Sequence, residues 1–268
     1  MKLMVAGCSF SAPSKRLPGT SWSELLAKEL GWELVNLARQ GCSNGGIRIQ
    51  IDEIIRQRPD FAIVTPTFHD RMEIPANAAP FDWKKSTDGE NPAIQRHLQD
   101  LTLKNGYNRA DGINNINYGN NNHNMICETI YTLAENFRSP YRSKDISKTA
   151  QTAVRHYIDG IYDSEWKKQQ DEWIIREGIL MLHLEGIKFV VQPNLLWPFD
   201  PDYTEQWRDA FPSIIPDHCI QLDPLTTVQA LSGNHPFEGE DPGYHSSPVG
   251  QEVMAAHWRR HMQQHFGL

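Results

Sequence analysis

Cysteine is scarce in this chain and shows no pairing pattern. The 268 residues contain four cysteines, with no Cys-x-x-Cys motif. This usage gives no sign of a disulfide framework and favours reduced thiols. Cys8 and Cys42 both lie in Gly-Cys-Ser turns, so a disulfide between them would need oxidising conditions.

Long apolar runs and an excess of positive charge are also missing. No apolar run approaches the roughly 20 residues that a membrane-spanning helix needs, and the N-terminal segment lacks the apolar core of a signal peptide. We therefore expect a cytoplasmic protein with no membrane partner. The net charge is −7 without a basic stripe, which argues against nucleic-acid binding. Hydrophobic residues still make up 39%, so a substantial core is possible.

The first third of the chain alternates short apolar strands with amphipathic helices. Strands are predicted at residues 2–6, 33–37 and 61–65. Ser21 and Glu24 have the spacing of a capping box at the start of the first helix. This β-α-β-α-β order predicts parallel strands, right-handed crossovers and helices on both faces of the sheet. 

The C-terminal part adds three further elements to this pattern. A fourth strand is predicted at residues 187–192 and a short fifth at 219–222. Ser247 and Pro248 are typical of a helix start, with serine as N-cap and proline in the first helical position. We therefore predict a three-layer α/β/α sandwich with a central parallel sheet of about five strands.

A long stretch between the third and fourth strands breaks the pattern. Residues 75–145 are rich in Asn, Pro and Gly and show little periodicity, which indicates an irregular insertion rather than a separate domain. Helices are predicted again at 147–184, where Trp166 and Trp173 are interpreted as core or groove-lining residues. The chain is thus predicted to be a single domain over residues 1–268.

Polar residues follow the ends of several predicted strands. Ser9 comes directly after the first strand, Gly41 and Asn44 lie in the loop after the second, His69 follows the third, and His245 precedes the last helix. Ligands bind at the carboxyl edge of parallel sheets. A serine there is a nucleophile if a base reaches it; otherwise Ser9 is a turn serine or a helix N-cap.

Four sequence blocks, in order, resemble the SGNH (GDSL-like) hydrolase family. Residues 7–11, Gly-Cys-Ser-Phe-Ser, are similar to its Gly-Asp-Ser block, with cysteine in place of aspartate. Residues 36–44 are similar to its second block, and 67–70 lie where its third block belongs. Residues 245–250, His-Ser-Ser-Pro-Val-Gly, are similar to its histidine-bearing block. The resemblance leaves out roughly residues 75–180 and implies an SGNH/flavodoxin-like fold and a metal-independent serine esterase.

The resemblance implies that Ser9 attacks an ester carbonyl and that His245 serves as general base and then acid. The family places an aspartate three residues before this histidine, where the present chain has Pro242. Asp241, one residue further away, orients His245 only if the Pro-Gly turn bulges. Otherwise a backbone carbonyl orients the imidazole and the site is a dyad.

The implied oxyanion hole uses the backbone N–H groups of Ser9 and Gly41. The third block departs from the family, with Thr67 in place of its glycine and His69 in place of its asparagine donor. A neutral imidazole donates one hydrogen bond, so His69 substitutes only in the right tautomer; the alternative is a buried histidine bonded to a carbonyl. Asn44 is the other candidate donor, with helix capping as its alternative role.

Three neighbouring residues, Arg71, Asp70 and Tyr244, are candidates for substrate binding. Arg71 either contacts a substrate anion or pairs with Asp70 or Glu73. 

Histidines recur every four residues on the last helix, at His257, His261 and His265. This spacing suits a metal site, but no carboxylate or cysteine accompanies it. We interpret it as a polar helix face and expect neither metal nor cofactor.

The predicted function is a serine esterase or deacylase that acts on a small ester or O-acyl substrate, including O-acetyl sugars. The alternatives are an acyltransferase with the same Ser9 and His245, or a catalytically inactive SGNH-like binding or structural protein. The expected partner is a small-molecule or glycan ester, and the sequence does not indicate an oligomeric state.

Overall fold

The protein is described here by a computed structural model. It describes residues 1–13, 18–39, 42–67, 69, 71–75, 113–118, 121–129, 152, 156–193, 211–221 and 248–268. The chain forms two compact units, one from residues 1–40, 47–68 and 172–268 and the other from 41–46 and 69–171. None of the described helices is long and apolar enough to cross a membrane.

Within the described residues, helices and strands alternate along the first third of the chain and are followed by three further strands, two further helices and a further short strand. They are β1 (Lys2–Gly7), α1 (Trp22–Leu30), β2 (Glu33–Asn36), α2 (Asn44–Gln57), β3 (Phe61–Thr65), β4 (Arg71–Pro75), β5 (Ile113–Tyr118), β6 (Asn121–Thr129), α3 (Ser164–Leu184), β7 (Phe189–Val191), a 3₁₀ helix (Asp217–Cys219) and α4 (Pro248–Phe266).

The first unit contains a four-stranded parallel sheet in the order β2-β1-β3-β7. Its interior strands β1 and β3 are almost wholly buried, as expected when helices cover both faces. On one face, alternate residues such as Leu3 and Val5 join a core with α1 and α4, in which Trp22 and Trp258 pack with ring centroids 5.7 Å apart. Met4, on the opposite face, is equally buried. This arrangement confirms the predicted α/β/α class.

Local sequence signals account for the boundaries of α1. Ser21 and Glu24 form the predicted capping box, and the backbone N–H of Ser21 donates to Glu24 Oε2 at 3.1 Å. Gly31 ends the helix with φ 66°, a left-handed conformation that glycine adopts without steric cost.

The predicted fifth strand is reduced to a single bridge in the described residues. Cys219 ends a 3₁₀ helix instead of starting a strand, and only Ile220 pairs with the sheet, through one parallel bridge to Val191. Pro216 precedes this turn, and proline is restricted to φ values that suit turns. The described sheet therefore has one strand fewer than predicted.

The second unit contains a three-stranded antiparallel sheet in the order β4-β6-β5. It includes residues 113–118 and 121–129, for which the prediction of an irregular segment is wrong. Asparagine is depleted in strands, which hid this hairpin from the sequence analysis. Its signal is the pair Gly119-Asn120, because two-residue connections of this type join hairpin strands, and Tyr118 pairs directly with Asn121.

Trp166 and Trp173 are predicted to be core or groove-lining residues, and the core position is wrong. They are 50% and 54% exposed on α3. The buried face of this helix is formed by Ile175, Ile179 and Leu182, and the tryptophans lie seven residues apart on a different face.

Candidate active site

Ser9 lies in a tight turn at the carboxyl end of β1. The backbone N–H groups of Ser11 and Ala12 both donate to the carbonyl of Cys8, at 3.1 and 3.0 Å. Ser9 is half-buried within this turn. Because β1 is an interior strand of a parallel sheet, the turn occupies the edge at which α/β folds bind ligands.

The last residue of β1, Gly7, has both of its backbone polar groups bound by one side chain. Gln50 of α2, itself fully buried, accepts from the Gly7 N–H at 2.7 Å and donates to the Gly7 carbonyl at 3.3 Å. Gln50 was not predicted as a site residue, although the sequence carries a signal for it. It falls at helical spacing between Ile47 and Ile54 on the buried face, where an unpaired amide would be costly.

Gly7 has no room for a side chain. A Cβ added there would lie 2.0 Å from Thr65 Oγ1 and 3.1 Å from Ser11 Cβ. The cause is the register of the sheet, which sets Gly7 directly opposite Thr65.

We expect Gly7→Ala to lower the free energy of unfolding by about 1–3 kcal/mol, because overpacking forces neighbours to shift. Urea unfolding measures this. Gly160→Ala is the matched control, since nothing lies within 4 Å of its added Cβ. Thr65→Ala removes the clashing oxygen and should relieve much of the cost of Gly7→Ala. Equal costs for Gly7→Ala in both backgrounds would contradict this explanation.

Ser11, the other serine of the turn, has a structural role. Thr65 Oγ1 donates to the Ala6 carbonyl at 3.1 Å, so the buried Ser11 hydroxyl donates to Thr65 Oγ1 at 2.7 Å. The Ser11 carbonyl also accepts from Asn36 Nδ2 at 2.7 Å. These bonds fix the turn to β2 and β3 and leave Ser9 as the half-buried hydroxyl of the pair.

Trp22 connects this turn to the start of α4. Its indole N–H donates to the Phe10 carbonyl at 3.1 Å, and its backbone N–H donates to Gln251 Oε1 at 2.7 Å. Trp22 therefore contacts both the first turn of α4, through Gln251, and the residue next to Ser9, Phe10. His245, Asp241 and Tyr244 precede this helix in the chain and lie outside the described residues, as do Gly41 and Asp70.

A buried ionic cluster occupies the second unit. The carboxylate of Asp171, which is fully buried, accepts from Lys167 Nζ on one oxygen. Its other oxygen contacts Asn44 Nδ2 at 3.0 Å and His69 Nδ1 at 3.3 Å. The structure thus brings together two of the predicted site residues, Asn44 and His69, on a carboxylate that the sequence analysis missed. The one sequence signal for this ion pair is the spacing of four residues between Lys167 and Asp171 on α3, which makes them neighbours on the helix.

This cluster determines the tautomer of His69. An ionised carboxylate only accepts hydrogen bonds, so Nδ1 of His69 carries the proton that faces Asp171. In the neutral ring, Nε2 then has a lone pair and accepts rather than donates. The predicted role of neutral His69 as an oxyanion donor through Nε2 is therefore excluded in this tautomer, and donation from Nε2 requires an imidazolium. The contact of His69 that the structure shows is with the Asp171 carboxylate.

Asn44 and Arg71 have contacts that differ from the simplest expectations. Ser43 Oγ accepts from the Gly46 N–H at 3.3 Å and so caps α2, whereas the Asn44 amide binds Asp171. Arg71 is 9% exposed and donates from Nη1 to the Cys42 carbonyl at 2.7 Å. Within the described residues, its buried Nε makes no hydrogen bond.

Cys8, Cys42 and Cys219 are buried and form no disulfide. Burial raises the pKa of the Cys219 thiol to about 11, so it stays protonated and weakly nucleophilic at neutral pH. Across the described ranges, no group of three or more His, Cys, Asp or Glu side chains is arranged to hold a metal ion.

The first unit is therefore an α/β/α sandwich that carries a turn serine at the carboxyl edge of its parallel sheet. In comparisons with solved structures, the chain is similar to the esterase EstA from a Pseudoalteromonas species, in a structure inhibited by monoethylphosphonate, with 9% identity, a TM-score of 0.50 and coverage of 100% of this chain and 99% of that one. The structure of TesA aligns over 98% of this chain and 99% of its own, with 12% identity and a TM-score of 0.44. No family model and no curated protein sequence matches the chain. The fold shared with EstA confirms, at the level of the fold, the resemblance seen in the sequence.

Proposed function

We propose that this protein is a serine hydrolase that acts on small esters, with Ser9 as the nucleophile. The observation that carries the proposal is the Ser9 turn itself, at the carboxyl edge of an interior parallel strand. The hydrogen bonds of Gln50 and Ser11 to its surroundings hold this turn in place. Rigid placement matters because attack on a carbonyl needs a hydroxyl already in position.

In the proposed mechanism, His245 removes the Ser9 proton as the hydroxyl attacks the carbonyl carbon. It then returns this proton to the leaving alcohol, and water repeats the cycle on the acyl-enzyme. The position of α4 supports this role, since His245 lies three residues before Pro248, the first residue of the helix. The Trp22 contacts described above link that end of α4 to the Ser9 turn. Asp241 is the proposed partner that orients His245.

The negative charge that develops on the carbonyl oxygen needs hydrogen-bond donors. We assign this role to the backbone N–H groups of Ser9 and Gly41, with Asn44 and His69 as side-chain donors. His69 donates from Nε2 only as an imidazolium, because its Nδ1 already faces the Asp171 carboxylate at 3.3 Å. Lys167 shares that carboxylate, so with an imidazolium at His69 the cluster carries one net positive charge, which would favour an oxyanion beside it.

Three further residues are proposed to bind the substrate, namely Arg71, Asp70 and Tyr244. The guanidinium of Arg71 supports the binding of an anionic group, since burial strengthens its charge-assisted hydrogen bonds and its Nε makes none to a described residue. Small esters, O-acetyl sugars and thioesters all fit the proposed chemistry.

The test is covalent labelling with a fluorophosphonate. An activated serine hydroxyl attacks its phosphorus atom, displaces fluoride and forms a stable phosphonyl ester. We expect one phosphonyl group per chain, mapped by peptide mass spectrometry to Ser9. His245→Gln should slow labelling at least about 10²-fold, the scale of general-base catalysis. His183→Gln, on α3, is the matched histidine control and should label at the wild-type rate.

Absence of labelling in folded wild-type protein would overturn the proposal and favour the binding or structural protein. Labelling at a serine other than Ser9 would overturn the assignment of the nucleophile. If Ser9 is labelled, turnover of an ester with and without an added alcohol acceptor distinguishes hydrolysis from acyl transfer.

A further inference from the structure

A polar cleft of about 590 Å³ lies between the 3₁₀ helix and the C-terminal half of α4. Four imidazoles line it, from His218 on the 3₁₀ helix and from His257, His261 and His265 on α4. All of these residues belong to the first unit. The proposed chemistry at Ser9 uses none of them.

One end of the cleft is at the opposite edge of the sheet from the Ser9 turn. Phe266, at the end of α4, packs edge-on against Phe61, the first residue of β3, with ring centroids 4.9 Å apart. His218 in turn packs against Phe266 at 5.1 Å. This end of the cleft therefore adjoins the amino ends of the strands, whereas Ser9 follows the carboxyl end of β1.

The imidazoles are held close together by specific contacts. His261 Nε2 donates to the His218 carbonyl at 2.8 Å. The rings of His218 and His265 are nearly parallel, at 8° and 5.9 Å between centroids, and His261 and His265 are 4.6 Å apart. Gln221 Nε2 donates to His257 Nε2 at 3.0 Å. These orientations do not converge on a metal position among the described residues.

Most ionisable side chains that line the cleft are positively charged when protonated. Asp217 is the one carboxylate among the lining residues, against the guanidinium of Arg260 and the four imidazoles. Imidazole is the side chain that charges between pH 5 and 8. Imidazoles this close repel one another when more than one is protonated, unless an anion lies between them. An anion that binds here is therefore bound more tightly as the cluster takes up protons.

We infer that this cleft is a binding site for a small phosphate-type polyanion, held by Arg260 and by His218 and His265 in their protonated forms. The neighbouring residue Arg259 provides a control for a test of this site. It pairs with Glu29 of α1 at 3.3 Å and is not among the residues that line the cleft, so the two neighbouring arginines carry the same charge in different surroundings.

Sulfate is the probe, a phosphate-like dianion whose own charge does not change over this range, measured by isothermal titration calorimetry at pH 5.8 and pH 7.8 at constant ionic strength. We expect the Kd to be about tenfold lower, or more, at pH 5.8. The reason is that an anion that raises an imidazole pKa by about one unit gains about tenfold in affinity when that imidazole is protonated. Arg260→Gln should raise the Kd by about tenfold, the scale of a lost charge-assisted contact, whereas Arg259→Gln leaves it within about twofold. His265→Gln should reduce the pH dependence, and His183→Gln should not.

Three outcomes would overturn the inference: no binding at either pH, equal effects of the two arginine substitutions, or a Kd that does not change with pH. Because Arg259, Arg260 and His265 are exposed, these variants should fold normally. The labelling of Ser9 by fluorophosphonate is independent of this result, so the two proposals fail separately.

Discussion

Ser9→Ala is expected to abolish ester hydrolysis while the protein stays folded. Loss of the nucleophile costs on the order of 10⁶ in kcat in a serine protease in which it was measured, and no described hydroxyl of the turn can replace it, because Ser11 is engaged with Thr65. Turnover of p-nitrophenyl acetate measures the effect. Ser9 is only half-buried, so the free energy of unfolding should change little.

Ser11→Ala is the control for this prediction. It removes a hydroxyl two residues away in the same turn, together with a buried hydrogen bond worth about 0.5–1.5 kcal/mol. We expect a modest loss of stability and retention of most turnover. A Ser9→Ala variant with wild-type kcat, or a Ser11→Ala variant that is as inactive as Ser9→Ala, would refute the assignment of Ser9.

The predictable part of the fold is the part encoded by local signals. Residues 61–65 were predicted as a strand and form β3 without change of bounds. The capping box at Ser21 and the glycine at position 31 set the ends of α1. These signals are reliable because each one satisfies backbone groups that the helix itself leaves unbonded.

The second unit was not predictable in the same way. The strands at 113–118 and 121–129 depend on pairing with each other and with β4, which overrides the poor strand propensity of asparagine. The size and apolarity of Trp166 and Trp173 do not distinguish a core position from an exposed one. Only the packing of α3, which buries Ile175 and Ile179, decides which face of the helix is exposed.

For the candidate site, the sequence indicated the strand-end residues but not the groups that hold them. Ser9 was identified from its position after an apolar run. Gln50, whose amide binds both backbone groups of Gly7, is 43 residues away in the chain from its partner. Asp171 is 102 residues from His69. Contacts over such separations leave no spacing rule in a single sequence, so only the three-dimensional structure identifies them.

Asp171→Ala is expected to lower the free energy of unfolding by about 3–5 kcal/mol, the cost of removing one partner from a buried ion pair. Lys167, only 8% exposed, would keep its positive charge without a counterion. The contacts of Asn44 and His69 with the carboxylate would be lost as well. Unfolding in urea measures the change, and helix propensity contributes little because alanine is the best helix former.

Glu177→Ala is the matched control on the same helix. Its carboxylate also pairs with a cation, Arg48, at 2.9 Å, but its side chain is 62% exposed. Exposed pairs contribute about 0–1 kcal/mol, so this substitution should cost far less. Adding Lys167→Met to Asp171→Ala removes the uncompensated ammonium while keeping an apolar chain of similar length, and should recover part of the loss. If Asp171→Ala costs no more than Glu177→Ala, or if Lys167→Met adds to the loss instead of relieving it, then the buried ion pair is not what makes Asp171 important. The proposed role of the ionic cluster around His69 would then fail as well.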